Sequence, residues 1–341
     1  MDYFNYVKRD LLEEHEVVRS FKKHYFEEEN EMHIAAIKSL ADVIKNNISE
    51  TNFELFINLN EAKDILNNYI KNNDVQNNII SVPHSKRMTI YTIVSSCDIY
   101  HHFVVKKYTH NENYFNNLKN TLANNANEFS KNLEKSLDII GNTSNIMFIN
   151  RKTTVLTHSN SKCVKNLLLN VVKNENKQVF VYFTSLENSS INYSEKDKKF
   201  DDIFIEDLRK ENIIVTKINL QSVKNIFNII DFVVIGTELV IDSGGIISKK
   251  GIRLLSQLCS LNKKPFYVVC EAYKFLKIDK IKYAKDFYDY CTQNICNENN
   301  YLYEYVPHHL ITLFYTDIGI FSPSVISYEL SKLYINDAFQ F

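Results

Sequence analysis

Residues 231–251, DFVVIGTELVIDSGGIISKKG, constrain the fold more than any other stretch, because they contain four of the six glycines in 341 residues. The stretch begins with a short β-branched run that is typical of a strand buried on both faces of a parallel sheet. After this strand we expect a loop and then a helix. Free amides beside a lysine amine favour a phosphate site there, and a tight turn with solvated charges is the alternative. The residues of this predicted loop are Gly236, Glu238, Asp242, Gly244, Gly245, Lys249, Lys250 and Gly251.

The mass of 40.0 kDa predicts two domains, because one ordinary hydrophobic core rarely grows so large. A formal net charge of -1 without a basic stripe argues against a nucleic-acid-binding protein that works by bulk charge. The sequence contains no apolar run of the length that a bilayer requires, and its first residues are acidic where a signal peptide would be basic and then apolar. We therefore expect a cytosolic protein that binds neither nucleic acid nor a membrane.

The thiols and imidazoles do not have the spacing of a metal site. The six cysteines form no CxxC pair, and Cys163, Cys259 and Cys270 lie in apolar surroundings that predict buried thiols. His101 and His102 are adjacent on a predicted helix, where their side chains point roughly 100° apart and do not easily bind one metal ion together. The sequence therefore predicts no metal site.

Residues 1–145 have the apolar spacing of helices, with steps of three and four residues that place one apolar stripe on one face. Residues 114–140 repeat the pattern. This half is therefore predicted to be a helical domain, and the pattern changes just after Gly141, the first glycine of the chain. The stripe of the first helices consists of Ile34, Ile37, Leu40, Ala41, Ile44, Phe53, Phe56 and Ile57.

Residues 146–341 alternate strand and helix patterns, which predicts a Rossmann-like α/β domain with a mostly parallel, doubly wound sheet, since parallel strands need helical crossovers. Ser322 followed by Pro323 predicts the start of the last helix. Residues 187–202 predict a charged surface insertion, and residues 276–306 form a second long connection. The predicted strands are TTVLTH, VFVYFT, IIVTKI, DFVVIGT, PFYVVCEA and LITLFYTD, and the predicted helices are SKCVKNLLLNVV, DDIFIEDLRK, SVKNIFNII, IRLLSQLC and SPSVISYELSKLYI.

Four motifs cover most of this second half, and their amino-acid sequences are specific. They are VLTHSNS (155–161), residues 231–251, NKKPFYVVCEAYKF (262–275) and LITLFYTDIGIFSPSVISYELSKLY (310–334). They resemble the family of the alpha, beta and delta regulatory subunits of the eukaryotic guanine-nucleotide exchange factor for translation initiation factor two, which has sugar-phosphate isomerase relatives. The last two motifs resemble alpha subunits more than beta or delta subunits.

The resemblance implies no catalytic group and no cofactor, but a pocket that can hold a phosphate, a sugar phosphate or a nucleotide sugar. The isomerase relatives carry a cysteine and an aspartate where this sequence has Ser159 and Glu238, and an asparagine where it has Ser248, whereas their lysine is retained as Lys249. Because a serine hydroxyl is a far weaker acid than a thiol and glutamate is one methylene longer, we expect that this pair does no proton transfer. A relic pocket without a ligand and an active isomerase are the alternatives. The candidate ligand residues are His158, Ser159, Asn160, Glu238, Gly244, Gly245, Ser248 and Lys249.

The resemblance also implies a place in a larger assembly. Alpha subunits form a homodimer that bridges the assembly, so the expected partners are a second copy of this chain and the beta, delta, gamma and epsilon subunits. A different subunit carries the exchange chemistry. The helical half is expected to help sense the phosphorylated alpha subunit of initiation factor two, with a regulatory surface at Lys332 and Tyr334 nearby. A beta or delta subunit is a further alternative.

Overall fold

The computed structural model describes residues 15–28, 31–46, 48, 51–75, 90–109, 131, 135–175, 177–187, 195–276 and 303–335. The chain divides into two compact units, Met1–Glu134 with Leu333–Phe341, and Lys135–Lys332. Within the described ranges, no helix is both long and apolar enough to cross a membrane. Most of the predicted helical pattern of residues 114–140 lies outside the described residues, as do 188–194 and 277–302 of the two predicted connections and Cys291 and Cys296.

In the described residues before 134, the first unit consists of helices and a few residues that flank them. Its central helix buries 11 of 15 residues and packs against the three other helices. Such burial requires apolar residues nearly all round, which its sequence MHIAAIKSLADVIKN supplies. The helices are α1 (Glu16–Lys22), which continues into a π-helical turn (Lys23–Glu27), the central α2 (Met32–Asn46), α3 (Asn52–Val75) and α4 (Ile90–Thr109).

The predicted apolar stripe is wrong in α3. Phe53 and Ile57 are exposed over 74% and 48% of their surface instead of continuing the buried face of α2. α3 has a second apolar face with helical spacing, and that face is longer, so packing it removes more apolar area from water. The residues buried on it are Leu55, Leu59, Ala62, Leu66, Tyr69 and Ile70.

The second unit is an α/β unit built on a seven-stranded sheet, and the predicted fold class is confirmed. The strands of this sheet are β1 (Lys152–His158), β2 (Gln178–Thr184), β3 (Ile214–Lys217), β4 (Phe232–Gly236), β7 (Phe266–Val269), β10 (Leu313–Thr316) and β11 (Gly319–Phe321), in the order β11-β10-β7-β4-β1-β2-β3. The pairs are parallel except that between β10 and the edge strand β11. All six predicted strands are present.

Helices accompany these strands as the crossovers require. They are α5 (135–143), α6 (Lys162–Glu175), α7 (Glu195–Lys210), α8 (Ile252–Leu261) and α9 (Ile326–Ile335). The largest apolar cluster joins α6 and α7 to β1 and β2, with Leu167, Phe183 and Phe204 among its buried members. The predicted thiols Cys163, Cys259 and Cys270 are buried and free, which confirms that prediction.

Three local predictions differ from the structure. The helix predicted for SVKNIFNII is instead two short 3-10 turns, Leu220–Asn225 and Phe227–Ile229, because the segment is too short to propagate a helix before β4. Ser322 precedes a 3-10 turn, Pro323–Val325, that leads into α9, and its side chain does not cap this turn. α7 begins at Glu195, inside the predicted insertion.

The predicted loop after β4 is largely a second sheet. Its strands are β5 (Leu239–Ile241), β6 (Ile246–Lys249), β8 (Phe275–Leu276) and β9 (Tyr303–Val306), in the order β8-β5-β6-β9. β5 and β6 form an antiparallel hairpin, because each is a short β-branched run on one side of a glycine pair that closes the turn.

Candidate functional site

The candidate site lies where the strand order of the main sheet reverses. From β1 the chain adds β2 and β3 on one side, and β4, β7 and β10 follow on the other. β1 and β4 are direct parallel neighbours, so the residues that follow them emerge at the same edge. Ligands of open α/β sheets bind in the crevice at this kind of position. The sequence-predicted residues His158, Ser159 and Asn160 follow β1, and Glu238 follows β4.

His158 links the end of β1 to the lysine segment. Its ring is 2% exposed, with Nδ1 2.9 Å from Oγ1 of Thr184 and Nε2 3.0 Å from the carbonyl oxygen of Lys250. Burial, together with the charge of Lys249, lowers the pKa of His158 to about 4, so the ring is neutral at pH 7. The neutral ring donates from Nε2 to Lys250 and accepts at Nδ1 from Thr184, and it therefore positions the backbone beside Lys249.

Gly251 is required beside this ring. Its φ of 102° lies in the left-handed region, and a Cβ there would lie 2.8 Å from Leu220 and 3.1 Å from the His158 ring. A side chain would therefore strain the backbone and displace its neighbours. The structure thus places His158 against the segment that contains Lys249 and Lys250.

Ser159 has a strained backbone with φ of 60°, and its amide donates to the carbonyl of Thr184 at 2.9 Å. The imidazole of the preceding residue, His158, is hydrogen bonded at both nitrogens. The side chain of Asn160 donates to Asp201 at 2.7 Å. These contacts fix the turn between β1 and α6.

Glu238 acts electrostatically on a buried ion pair that no sequence motif predicted. Nζ of Lys274 is 2.8 Å from Oε2 of Glu271, and both side chains are mostly buried. Burial would lower the pKa of Lys274, but the charges of Glu271 and Glu238 raise it above its ordinary value. Burial likewise opposes ionisation of Glu271, and the ammonium of Lys274 outweighs it and holds the pKa of Glu271 at about 2. Lys274 is therefore a cation that is paired with Glu271 and also attracted by the charge of Glu238.

Two further groups surround this pair at the same edge of the sheet. The Cys163 thiol hydrogen bonds to Glu271, and burial followed by the charge of Glu271 raises the pKa of that thiol well above its ordinary value. Asp317, at the end of β10, accepts from the amide of Ala272 at 2.7 Å and from the hydroxyl of Ser136 at 2.9 Å. Burial nevertheless raises the pKa of Asp317 to about 6. The Glu-x-x-Lys spacing within CEAYK was the only sequence signal for this cluster.

The glycine pair and Ser248 have packing roles. The amide of Gly244 donates to Ile241 and the carbonyl of Gly245 accepts from Ile241, which closes the hairpin. A Cβ on Gly244 would lie 2.3 Å from the Pro323 carbonyl, and one on Gly245 would lie 2.4 Å from the Tyr305 ring. Ser248 is fully buried and donates to Oγ1 of Thr237. These three residues are thus bonded or packed within the second sheet, whereas Lys249 is only partly buried.

The proposed regulatory residues at the end of the chain are described only in part. Nζ of Lys332 is 2.9 Å from Glu329 and 4.3 Å from the centre of the Tyr328 ring. The hydrogen bond to Glu329 raises the pKa of Lys332. The side chain of Tyr334 lies outside the described residues.

The helical unit has an open groove of about 530 Å³ between α3 and α4. Its lining combines apolar side chains with the acids Glu61 and Asp64, and the lining side chains of Phe53 and Ile57 are exposed. Contiguous exposed apolar surface with a polar rim marks interaction sites in soluble proteins. The full lining is Phe53, Phe56, Ile57, Asn60, Glu61, Asp64, Ile65, Asn68 and His101.

The chain is similar to a family of translation factors. A family model described as the initiation factor 2 subunit family matches residues 26–323. Translation initiation factor eIF2B subunit alpha of Dictyostelium discoideum is 27% identical over 337 residues, which cover 93% of this chain and 96% of that protein. The subunit of the same name in Caenorhabditis elegans is 27% identical over 216 residues, which cover 62% of this chain and 67% of that protein.

Solved structures with the same fold belong to related proteins. The structure of eIF2B beta from Chaetomium thermophilum matches with a TM-score of 0.69 at 15% identity and covers 98% of this chain and 96% of that one. A chain of the tetrameric eIF2B-beta2-delta2 complex from C. thermophilum matches with a TM-score of 0.70 at 17% identity and covers 96% of this chain and 97% of that one. At these identities the likeness establishes the fold.

Proposed function

Because the chain belongs to the initiation factor 2 subunit family, we propose that it is a non-catalytic, alpha-type regulatory subunit of the guanine-nucleotide exchange factor for translation initiation factor two. The observation that carries this proposal is the similarity to an eIF2B subunit alpha along 93% of this chain and 96% of the relative. Similarity along nearly the whole of both chains favours the same role in the same assembly. The proposed location is the cytosol, where translation initiation takes place.

The proposed partners are a second copy of this chain and the beta, delta, gamma and epsilon subunits. A homodimer formed through the α/β unit is supported by large apolar side chains that this unit exposes, since such surface favours association. Leu254, Leu261 and Tyr328 are exposed over 43%, 80% and 62% of their surface. Sedimentation at micromolar concentration is expected to give about twice 40.0 kDa, and a monomer would contradict the proposal.

The proposal of a subunit without chemistry is supported by the surroundings of Ser159 and Glu238. The His158 imidazole is bonded at both nitrogens and its pKa is lowered to about 4, which makes it a weak base, and Glu238 interacts electrostatically with the Lys274 ammonium. An acid and a base of separate pKa are what an isomerase requires. The competing function, a sugar-phosphate isomerase, predicts turnover of ribose phosphates that Glu238→Gln abolishes, and we expect no turnover.

The proposed ligand of the pocket is a phosphate, a sugar phosphate or a nucleotide sugar, recognised through the amine of Lys249. This residue lies near His158, as its effect on the pKa of His158 requires, and it is only partly buried. Lys249→Ala is expected to weaken binding by roughly 1.5 to 3 kcal/mol, the contribution of a charge-assisted contact. Unchanged affinity in a calorimetric titration would mean that the anion binds elsewhere.

The proposed effect on exchange arises from assembly and from sensing. A dimer that joins two incomplete complexes raises their activity by mass action, and a surface that binds the phosphorylated factor couples it to a distant catalytic subunit. The test adds the purified chain to the remaining subunits and follows guanine-nucleotide release with unmodified and with phosphorylated initiation factor two. We expect stimulation of the first reaction and inhibition of the second, and identical rates with and without the chain would refute the proposal.

A further inference from the structure

Helix α3 has two apolar faces, and one of them is left open to solvent. Leu55, Leu59 and Leu66 are fully buried on the first face. On the second face Phe53 and Ile57 are exposed over 74% and 48% of their surface, and both line the groove between α3 and α4. Exposed apolar side chains that adjoin one another in a groove gain free energy when a partner covers them.

The shape of this face suits a second helix. On α3 the lining runs from Phe53 to Asn68 with spacings of three and four residues, so it forms one straight face about 22 Å long. Nζ of Lys63 is 2.8 Å from Oδ1 of Asp98, and this ion pair holds α4 beside α3. His101 contributes to the lining from α4, about one turn after Asp98. A straight apolar groove between two fixed helices is a surface on which an amphipathic helix packs.

The charges in the groove have one sign. The described part of its lining contains two carboxylates, Glu61 and Asp64, and no lysine or arginine. Neither carboxylate has a hydrogen bond or an ion pair among the residues that the structure describes. His101 does not offset them, because burial and then the charge of Lys63 lower its pKa to about 4 and the ring is neutral at pH 7. A partner on this face therefore meets uncompensated negative charge.

We propose that the groove between α3 and α4 is a docking site for an amphipathic helix of a partner protein, with apolar side chains on one face and lysine or arginine beside them. The apolar side chains cover Phe53 and Ile57, and the basic ones pair with Glu61 and Asp64. An acidic helix of the same shape meets like charges and is disfavoured. The inference goes beyond the proposed regulatory function and does not rest on it, because it concerns the chemistry of the groove and not the exchange reaction.

The test uses the purified full chain and two designed peptides of about 16 residues, each held in a helix by a side-chain crosslink. The peptides share one leucine face with helical spacing and differ only in carrying lysine or glutamate beside it. Fluorescence anisotropy measures binding at low and at physiological salt. We expect the lysine peptide to bind at least about tenfold more tightly, and salt to reduce this preference because it screens exposed charges. Equal binding of the two peptides would overturn the inference.

A charge reversal in the groove separates this site from general attraction between charges. Glu61→Lys with Asp64→Lys is expected to reverse the preference, so that the glutamate peptide binds more tightly. The matched control is Glu54→Lys with Glu206→Lys, which changes the net charge equally at exposed residues outside the lining and should keep the preference for the lysine peptide. A folded groove variant that still prefers the lysine peptide, or a control that also reverses, would refute the docking site.

The apolar contribution is measured with Phe53→Ser and Ile57→Ser combined. This variant is expected to bind the lysine peptide at least about tenfold more weakly than the wild type, whereas Ile48→Ser, at an exposed residue outside the lining, should bind as the wild type does. Circular dichroism verifies that each variant is folded, and unchanged binding by the folded double variant would contradict the proposal. Since no measurement here involves nucleotide release, these results and those of the exchange assay can fail independently.

Discussion

The Nε2 atom of His158 lies 3.0 Å from the carbonyl oxygen of Lys250, which ties the end of β1 to a segment 92 residues later in the chain. The ring is buried and Gly251 lies against it. Two of the stretches singled out in the sequence are therefore joined by one neutral imidazole.

This imidazole is expected to make folding stability sensitive to acid. The pKa of His158 is about 4 in the folded chain and about 6.5 when unfolded, so the unfolded state binds an extra proton between these values. The stability that His158 contributes is complete above pH 6.5 and is lost as the pH falls towards 4. We expect His158→Gln, which retains an amide donor, to reduce this dependence in urea unfolding curves at pH 7 and pH 5. If the unfolding free energy of His158→Gln changed between pH 7 and pH 5 as much as that of the wild type, the acid sensitivity would not arise from His158.

Gly251→Ala is expected to destabilise the chain by about 1 to 3 kcal/mol, the cost of a strained backbone position. The methyl group would meet Leu220 and the His158 ring while φ stays at 102°. Gly141 provides the matched control, because it lies in α5 and a Cβ there would meet only Asn170, at 3.2 Å. Gly141→Ala is expected to be neutral or stabilising, and urea denaturation of both variants measures the difference. Equal effects would refute a special role for Gly251.

Removing one partner of the Glu271–Lys274 pair is expected to destabilise the chain strongly, whereas replacing both partners is expected to destabilise it much less. Lys274→Met leaves the Glu271 carboxylate buried without its cation, which costs about 3 to 5 kcal/mol, whereas Lys274→Met with Glu271→Gln is expected to recover much of that loss. A double-mutant cycle by urea unfolding measures the coupling. In the exposed pair between Lys173 and Glu211, 2.8 Å apart, Lys173→Met is expected to cost less than about 1 kcal/mol.

The pH dependence of this pair has a definite sign. The pKa of Glu271 is held near 2 in the folded chain, below its ordinary value of about 4.3. The stability contributed by the carboxylate is therefore present above pH 4.3 and is lost as the pH falls towards 2. We expect this acid-sensitive part of the unfolding free energy to be absent from the double variant, and its persistence there would assign it to other carboxylates.

The sequence predicted the parallel strands because each is a local run of β-branched residues, and the family resemblance drawn from four motifs is confirmed. The β5–β6 hairpin was missed because runs of three and four residues around Gly244 and Gly245 gave a weaker signal than the charges in the same loop. The exposed face of α3 was missed because that helix has two apolar faces, and only packing decides between them.

The chemistry of the site was less predictable than the strands. The hydrogen bond from the amide of Arg253 to the carboxylate of Glu304 joins residues 51 positions apart. The bond from the hydroxyl of Ser136 to Asp317 joins residues 181 positions apart. No periodicity or short motif records such contacts, since they depend on which strands become neighbours. His158 and Lys249 could be named because each follows or ends a recognisable strand.

His24 is expected to stabilise the helical unit most at low pH. Its two nitrogens lie 2.8 Å from Glu28 and 2.7 Å from Asp42, so only the protonated ring donates to both carboxylates. The hydrogen bond to Asp42, and then that to Glu28, raise the pKa of His24 although burial opposes them. This stability is complete below pH 6.5 and is lost as the pH rises through the folded pKa. His24→Gln should therefore cost more at pH 6 than at pH 8.5, with exposed His309→Gln as the control, and an equal cost would contradict an imidazolium.

The groove between α3 and α4 is expected to carry the inhibition by phosphorylated initiation factor two. Phe53 and Ile57 are exposed on the helical unit, and burying one such side chain in an interface contributes about 1.5 to 3 kcal/mol. Phe53→Ser with Ile57→Ser is therefore expected to weaken the inhibition at least about tenfold and to leave stimulation of the unmodified factor intact, because assembly is proposed to use the α/β unit. Ile48→Ser, at a residue 95% exposed on the helical unit and outside the lining of the groove, is the control and should alter neither reaction. Inhibition that survives the double substitution would place the sensing surface elsewhere, and loss of both effects would make the groove part of the assembly interface.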